Sequence, residues 1–90
     1  MTELNAGFAT KQVTVGAAAT LIVAKRIGRN TVIVENTGTT AVYLGSSGVT
    51  VSNGLLLPGV VGASVALETT DAVYGVAASG TQVVCAVETF

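Results

Sequence analysis

Thr31-Val32-Ile33-Val34-Glu35, followed at once by Asn36-Thr37-Gly38, is the stretch that decides the fold. Val32 and Val34 point one way along an extended chain, and Thr31 and Glu35 point the other. A period of two marks a strand with one face against a core. Asn36 to Thr40 then reads as a turn, with Gly38 placed to supply a positive φ.

The same alternation of strand and turn extends in both directions. Towards the N-terminus, Lys11 to Val15 and Thr20 to Ala24 read as strands separated by Gly16-Ala17-Ala18-Ala19. The second is nearly all apolar, which predicts cover on both faces. Lys25 to Asn30 is polar and basic and reads as an exposed loop. Towards the C-terminus the strands are Ala41 to Leu44, Ser64 to Glu68, Ala72 to Ala77 and Thr81 to Glu88. In the last of these, Val83, Cys85 and Val87 share one face, and Gln82, Val84, Ala86 and Glu88 share the other. Val49 to Val51 and Leu55 to Leu57 are candidates for two short strand-like pieces within the long connection Gly45 to Gly62. Val and Thr dominate throughout, and β-branched side chains suit a pleated surface. No segment shows helical periodicity with caps. The expected fold is all-β: a sandwich or barrel, jelly-roll-like, of about seven to eight short strands. Residues 11–90 form its single domain. Residues 1–10 show no strong period and read as an extended N-terminal arm.

Composition narrows the function. The chain has 90 residues, half of them apolar and only 10% charged, with a net charge of −1. Ordinary soluble domains carry about 25% charged residues, and a chain this short buries only about 60–65% of its unfolded surface. Such a protein is expected to hide apolar surface against partners. No membrane span is expected, because the longest apolar stretch, Val13 to Ala24, is broken by Thr14, Gly16 and Thr20 and is too short. It does not resemble a cleaved signal peptide either, so synthesis in the cytoplasm is expected. Lys25, Arg26 and Arg29 form the one basic cluster, too narrow for a nucleic-acid footprint. An exposed loop, or a salt bridge to another subunit, is the expected setting for them.

Catalytic equipment is sparse. There is no His and no Trp, and a single cysteine, Cys85, which reads as a small buried hydrophobe. Glu68 and Asp71 are the closest carboxylate pair and flank Thr69-Thr70 in a predicted turn. Gly45-Ser46-Ser47-Gly48 and Gly59-Val60-Val61-Gly62 lack the Lys-Ser/Thr of a phosphate loop. No catalytic residue, metal ligand or cofactor is expected, and the chain does not read as an enzyme. Tyr43 and Tyr74 are candidates for a sugar-stacking platform or, more simply, for core or sheet-edge positions. Thr39-Thr40-Ala41-Val42-Tyr43 and Thr69-Thr70-Asp71-Ala72-Val73-Tyr74 echo each other too briefly to be a repeat.

Several of these segments together carry a resemblance. Thr31 to Gly38 ends in Asn-Thr-Gly. Ala41-Val42-Tyr43-Leu44-Gly45 and a Gly/Ser/Thr-rich loop follow. Leu57-Pro58-Gly59 and the late strand Ala72-Val73-Tyr74-Gly75-Val76 complete the pattern. It resembles the small β-domains of tailed-bacteriophage virion proteins, among them head decoration (cement) proteins and fibre modules, over roughly Val13 to Val87. The resemblance implies a β-sandwich-like, oligomeric virion module. The leading expectation is a decoration protein on the capsid surface that binds the major capsid protein and itself, as a homotrimer. It carries over no active-site residue. Leu4 and Phe8 of the arm are the candidates for capsid or neighbour contact. Leu55, Leu56 and Leu57 are the candidates for the oligomer interface. The alternative is a receptor- or carbohydrate-binding module of a tail, baseplate or head fibre.

Overall fold

The computed structural model describes residues 7–90, and Leu4 therefore lies outside the described residues. Eight strands follow one another: β1 (Phe8–Val15), β2 (Thr20–Val23), β3 (Thr31–Asn36), β4 (Val42–Gly45), β5 (Leu55–Leu57), β6 (Ser64–Leu67), β7 (Val73–Ala77) and β8 (Gln82–Thr89). They build two four-stranded antiparallel sheets, ordered β1-β8-β3-β6 and β2-β7-β4-β5. The pairs β1–β8, β2–β7, β3–β6 and β4–β5 are nested, like one long hairpin. Rolling that hairpin adds the pairs β3–β8 and β4–β7. This is the strand order of a jelly roll, two sheets packed face to face. The expected all-β sandwich is the fold of the described residues.

Alternation fills the space between the sheets. In β3, Val32, Val34 and Asn36 are buried while Ile33 and Glu35 face outward. Val15, Ile22, Val42, Leu44, Leu57 and Val84 meet them in one core. Fully burying a Val, Leu or Ile side chain contributes about 1.5–3 kcal/mol, so this interior is the main stabilising feature. Gly75 in β7 sits where a Cβ would come within 2.8 Å of Ile22 Cδ1. The side chains of the flanking strands of its own sheet, Ile22 on one side and Val42 and Leu44 on the other, fill the space that a Cβ would take there.

Several expectations about the strands and turns change in the structure. β1 starts at Phe8, so Phe8, Ala9 and Thr10, expected in the arm, are strand residues paired with Thr89, Glu88 and Val87. β2 is an edge strand with a register shift after Leu21, and Leu21 is exposed, so it is not covered on both faces. Val49 to Val51 forms no strand: the Val49 amide closes the preceding turn by donating to Ser46 O, and Val49 itself is buried. In β8 the inner face is Gln82, Val84, Ala86 and Glu88, which leaves Cys85 half-buried on the outer face. The positive φ values belong to Gly28, Gly62 and Gly80, and not to Gly38. The Asn36 side chain makes that turn instead, accepting from the Gly38 amide at 3.0 Å.

Candidate functional site: two ends and an uncharged sheet

The roll gives the sandwich two ends with different chemistry. One end gathers the connections β1–β2, β3–β4, β5–β6 and β7–β8, and none of their residues is charged. The other gathers β2–β3, β4–β5 and β6–β7, which hold Lys25, Arg26, Arg29, Glu68 and Asp71, with Glu88 close by in β8.

Arg29 organises the charged end. It was expected in an exposed loop, yet it is buried, and its guanidinium is fully enclosed. Its Nε donates to Thr69 O at 2.8 Å, and one terminal nitrogen donates to Ala24 O at 3.0 Å. The same nitrogen donates to Glu88 Oε1 at 2.9 Å, and the other donates to Asp71 O. One side chain thus ties the β2–β3 loop to the β6–β7 loop and to β8. Arg26 lies 3.3 Å from the same Glu88 oxygen and stacks over the Phe90 ring at 4.0 Å from its centroid. The basic cluster is therefore turned largely inward onto its own chain; Lys25 alone remains exposed without an ion-pair partner among the described residues.

Asn36 organises the uncharged end by neutral hydrogen bonds. Its amide nitrogen donates to Thr40 O at 2.8 Å and Pro58 O at 3.0 Å. Its backbone amide donates to Ala63 O, and its carbonyl accepts from Gly62 N. The β3–β4 and β5–β6 turns are locked together by these bonds. Beyond them, Val60 and Val61 stand exposed on a turn closed by the Ala63 amide donating to Val60 O at 2.9 Å.

The sheet β2-β7-β4-β5 contains no charged residue in any strand. Its register puts Leu21 beside Tyr74, and Tyr43 between Val76 and Leu56, all on the outer face. Both tyrosines are half-buried and lie on adjacent strands of this face, so their echoing segments belong to one sheet. The three leucines of β5 part company. Leu57 pairs with Val42 and is 1% exposed, so it belongs to the core and is removed from the candidate oligomer interface. Leu55 and Leu56 are each 50% exposed and stay available. Phe8, the described half of the arm candidates, is exposed at the start of β1.

Between the two sheets, on the β5–β6 side of the charged end, a cleft of about 360 Å³ opens. Leu44, Leu55, Leu67 and Val73 line it, and Glu68 and Asp71 stand at its rim. Sequence reading missed this cleft, because its walls come from four separate strands and loops. No family model matches the chain, and no curated protein or solved structure is significantly similar to it.

Proposed function

We propose that this protein is a non-enzymatic virion component: a decoration, or cement, protein on the outside of a tailed-phage capsid. It binds the major capsid protein and itself, as a homotrimer, and stabilises contacts between capsid subunits. The observation that carries the reading is the uncharged sheet, which exposes Leu21 and Leu56 on an outer face with no charge in its strands. A face of that kind is stabilised by removal from water. Many modest contacts repeated over one shell then sum through multivalency. The jelly-roll order fits an assembling module, although a fold alone does not specify function.

The test is co-sedimentation of the purified protein with undecorated capsids, alongside light scattering after size exclusion. The wild type is expected to bind at a fixed ratio to capsid protein and to persist as a trimer on dilution. Leu56→Asp places a carboxylate on the exposed face without touching the core, and is expected to weaken assembly at least tenfold. A Leu56→Asp protein with wild-type stoichiometry on the shell would remove β5 from the interface.

A second reading has one observation in its favour: Tyr43 and Tyr74 share the outer face of neighbouring strands. A receptor- or carbohydrate-binding module of a tail, baseplate or head fibre uses such side chains as stacking surfaces. Reproducible binding on a glycan array, lost in Tyr74→Ala, would transfer the assignment to that class.

A further inference from the structure

Ile27 is 87% exposed, more than any other large apolar side chain among the described residues. It sits at the tip of a tight turn, closed by the Arg29 amide donating to Arg26 O at 3.3 Å, with Gly28 at φ 90°. A positive φ at the third position is the mark of a type II turn and favours glycine there. The turn is braced on both sides. The Arg26 amide donates to Thr70 O at 2.9 Å, and Arg29 is buried in its cage of carbonyls. An isoleucine held out in water on a braced turn loses little further conformational freedom when it binds. Beside it stands Lys25, the cation of this loop without an ion-pair partner among the described residues.

The cleft at the same end has the opposite features. It is concave where the turn is convex, its walls are aliphatic, and its rim carries Glu68 and Asp71. Neither carboxylate has an ion-pair partner among the described residues. At about 360 Å³ the cleft has room for an aliphatic side chain. The flanking edges leave the approach open. β5 and β6 are outer strands with no charged residue, no proline and no register shift. The opposite side of the sandwich is protected: β1 carries Lys11, and β2 is shifted in register after Leu21. Charge and irregularity are the usual guards of an edge strand, and among the described residues they occur on the β1–β2 side of the sandwich only.

We propose that the occupant of this cleft is a second copy of the chain: the Ile27 tip of one subunit enters the Leu44–Leu55–Leu67–Val73 cleft of the next, and Lys25 meets Glu68 and Asp71 across the contact. The proposal rests on the reading of the protein as a self-assembling subunit, and names the surfaces that assemble. Knob and hole are different patches, so the contact is heterologous, and a rotation that closes gives a ring. The acidic rim selects a knob that arrives with a cation beside it, which fixes orientation more than affinity.

Light scattering after size exclusion tests this on the full chain. The wild type is expected as a discrete multiple of 8.9 kDa that persists on dilution. Ile27→Asp is expected at 8.9 kDa, with the far-UV circular dichroism of a folded β-sandwich, since this side chain is exposed and touches no core. Lys25→Glu is expected to weaken assembly about tenfold, and adding Glu68→Lys and Asp71→Lys to it is expected to restore it. A wild-type protein that is monomeric at every concentration overturns the proposal. So does Ile27→Asp with the wild-type mass; the cleft then belongs to another occupant, such as the shell or a small apolar ligand. Capsid co-sedimentation of the same variants separates the two claims. Retained assembly of Ile27→Asp with normal capsid binding sinks only the knob-and-hole contact. Dissociation of Ile27→Asp in a protein whose wild type ignores capsids sinks only the virion reading.

Discussion

The two ends of the sandwich solve one problem with different chemistry. Each must tie together loops from both sheets, and each does so through one buried polar side chain. At the charged end the tie is Arg29, with an ionic partner in Glu88 and three backbone carbonyls. At the uncharged end it is Asn36, which uses neutral bonds to Thr40, Pro58 and Gly38. Each end also displays aliphatic side chains on a turn closed with a positive-φ glycine: Ile27 before Gly28, and Val60-Val61 before Gly62. The difference teaches what a buried charge demands. An arginine tie needs a partner at each guanidinium nitrogen and a carboxylate in reach, whereas an amide tie satisfies itself locally with turns close in the fold.

The sharpest way to break the comparison is Arg29→Met. It leaves Glu88 mostly buried with only the more distant Arg26, and frees three carbonyls. Removing one partner of a buried pair costs about 3–5 kcal/mol, so urea denaturation should show a loss of that size. Pairing it with Glu88→Leu should recover a good part, since a buried ion pair replaced by apolar groups is often near neutral. Asn36→Ala is expected to cost less, about 2–3 kcal/mol, because it strands uncharged backbone groups of two turns. Hydrogen exchange would sharpen this by showing faster opening of both the β3–β4 and β5–β6 turns and no change at the charged end. Gly59→Ala is the mildest of the three. A Cβ there would meet the backbone of Thr39 and Ala41, and neither is the mobile end of a side chain. The expected loss is about 1–3 kcal/mol, read as a drop in thermal midpoint confined to a variant with unaltered ionic contacts.

Most of the strands were legible before any coordinates. β3, β4, β6, β7 and β8 lie within a residue or so of where alternation and turn residues put them. Period-two patterning is a local property, and each strand carries its own copy. Local pattern ran out where the deciding partner lies far along the chain. Arg29 looks like a loop cation because its sequence neighbours, Gly28 and Asn30, offer it no acidic partner; its partner Glu88 is 59 residues away. The face of β8 was split correctly into two sets, but which set turned inward depended on the opposing sheet. Val83, Cys85 and Val87 look at least as apolar as Gln82, Val84, Ala86 and Glu88, yet the latter face the core. The β5 run makes the same point in three letters: Leu57 pairs with the buried Val42 in the core, Leu56 pairs with Tyr43 on the outer face, and Leu55, beside the buried Leu44, is half exposed where the cleft opens.

The sequence by itself determined that the described chain would be a β-sandwich, where most of its turns fall, and that its surface would be poor in charge. Those properties follow from residue type and spacing, which act over a few residues. Only the tertiary structure decided that the charges would gather at one end, that Arg29 would be buried, and that an aliphatic cleft would open between β5 and β6. The reason is the jelly-roll order itself, which pairs β1 with β8 and β3 with β6 and so places side by side residues that the chain keeps far apart.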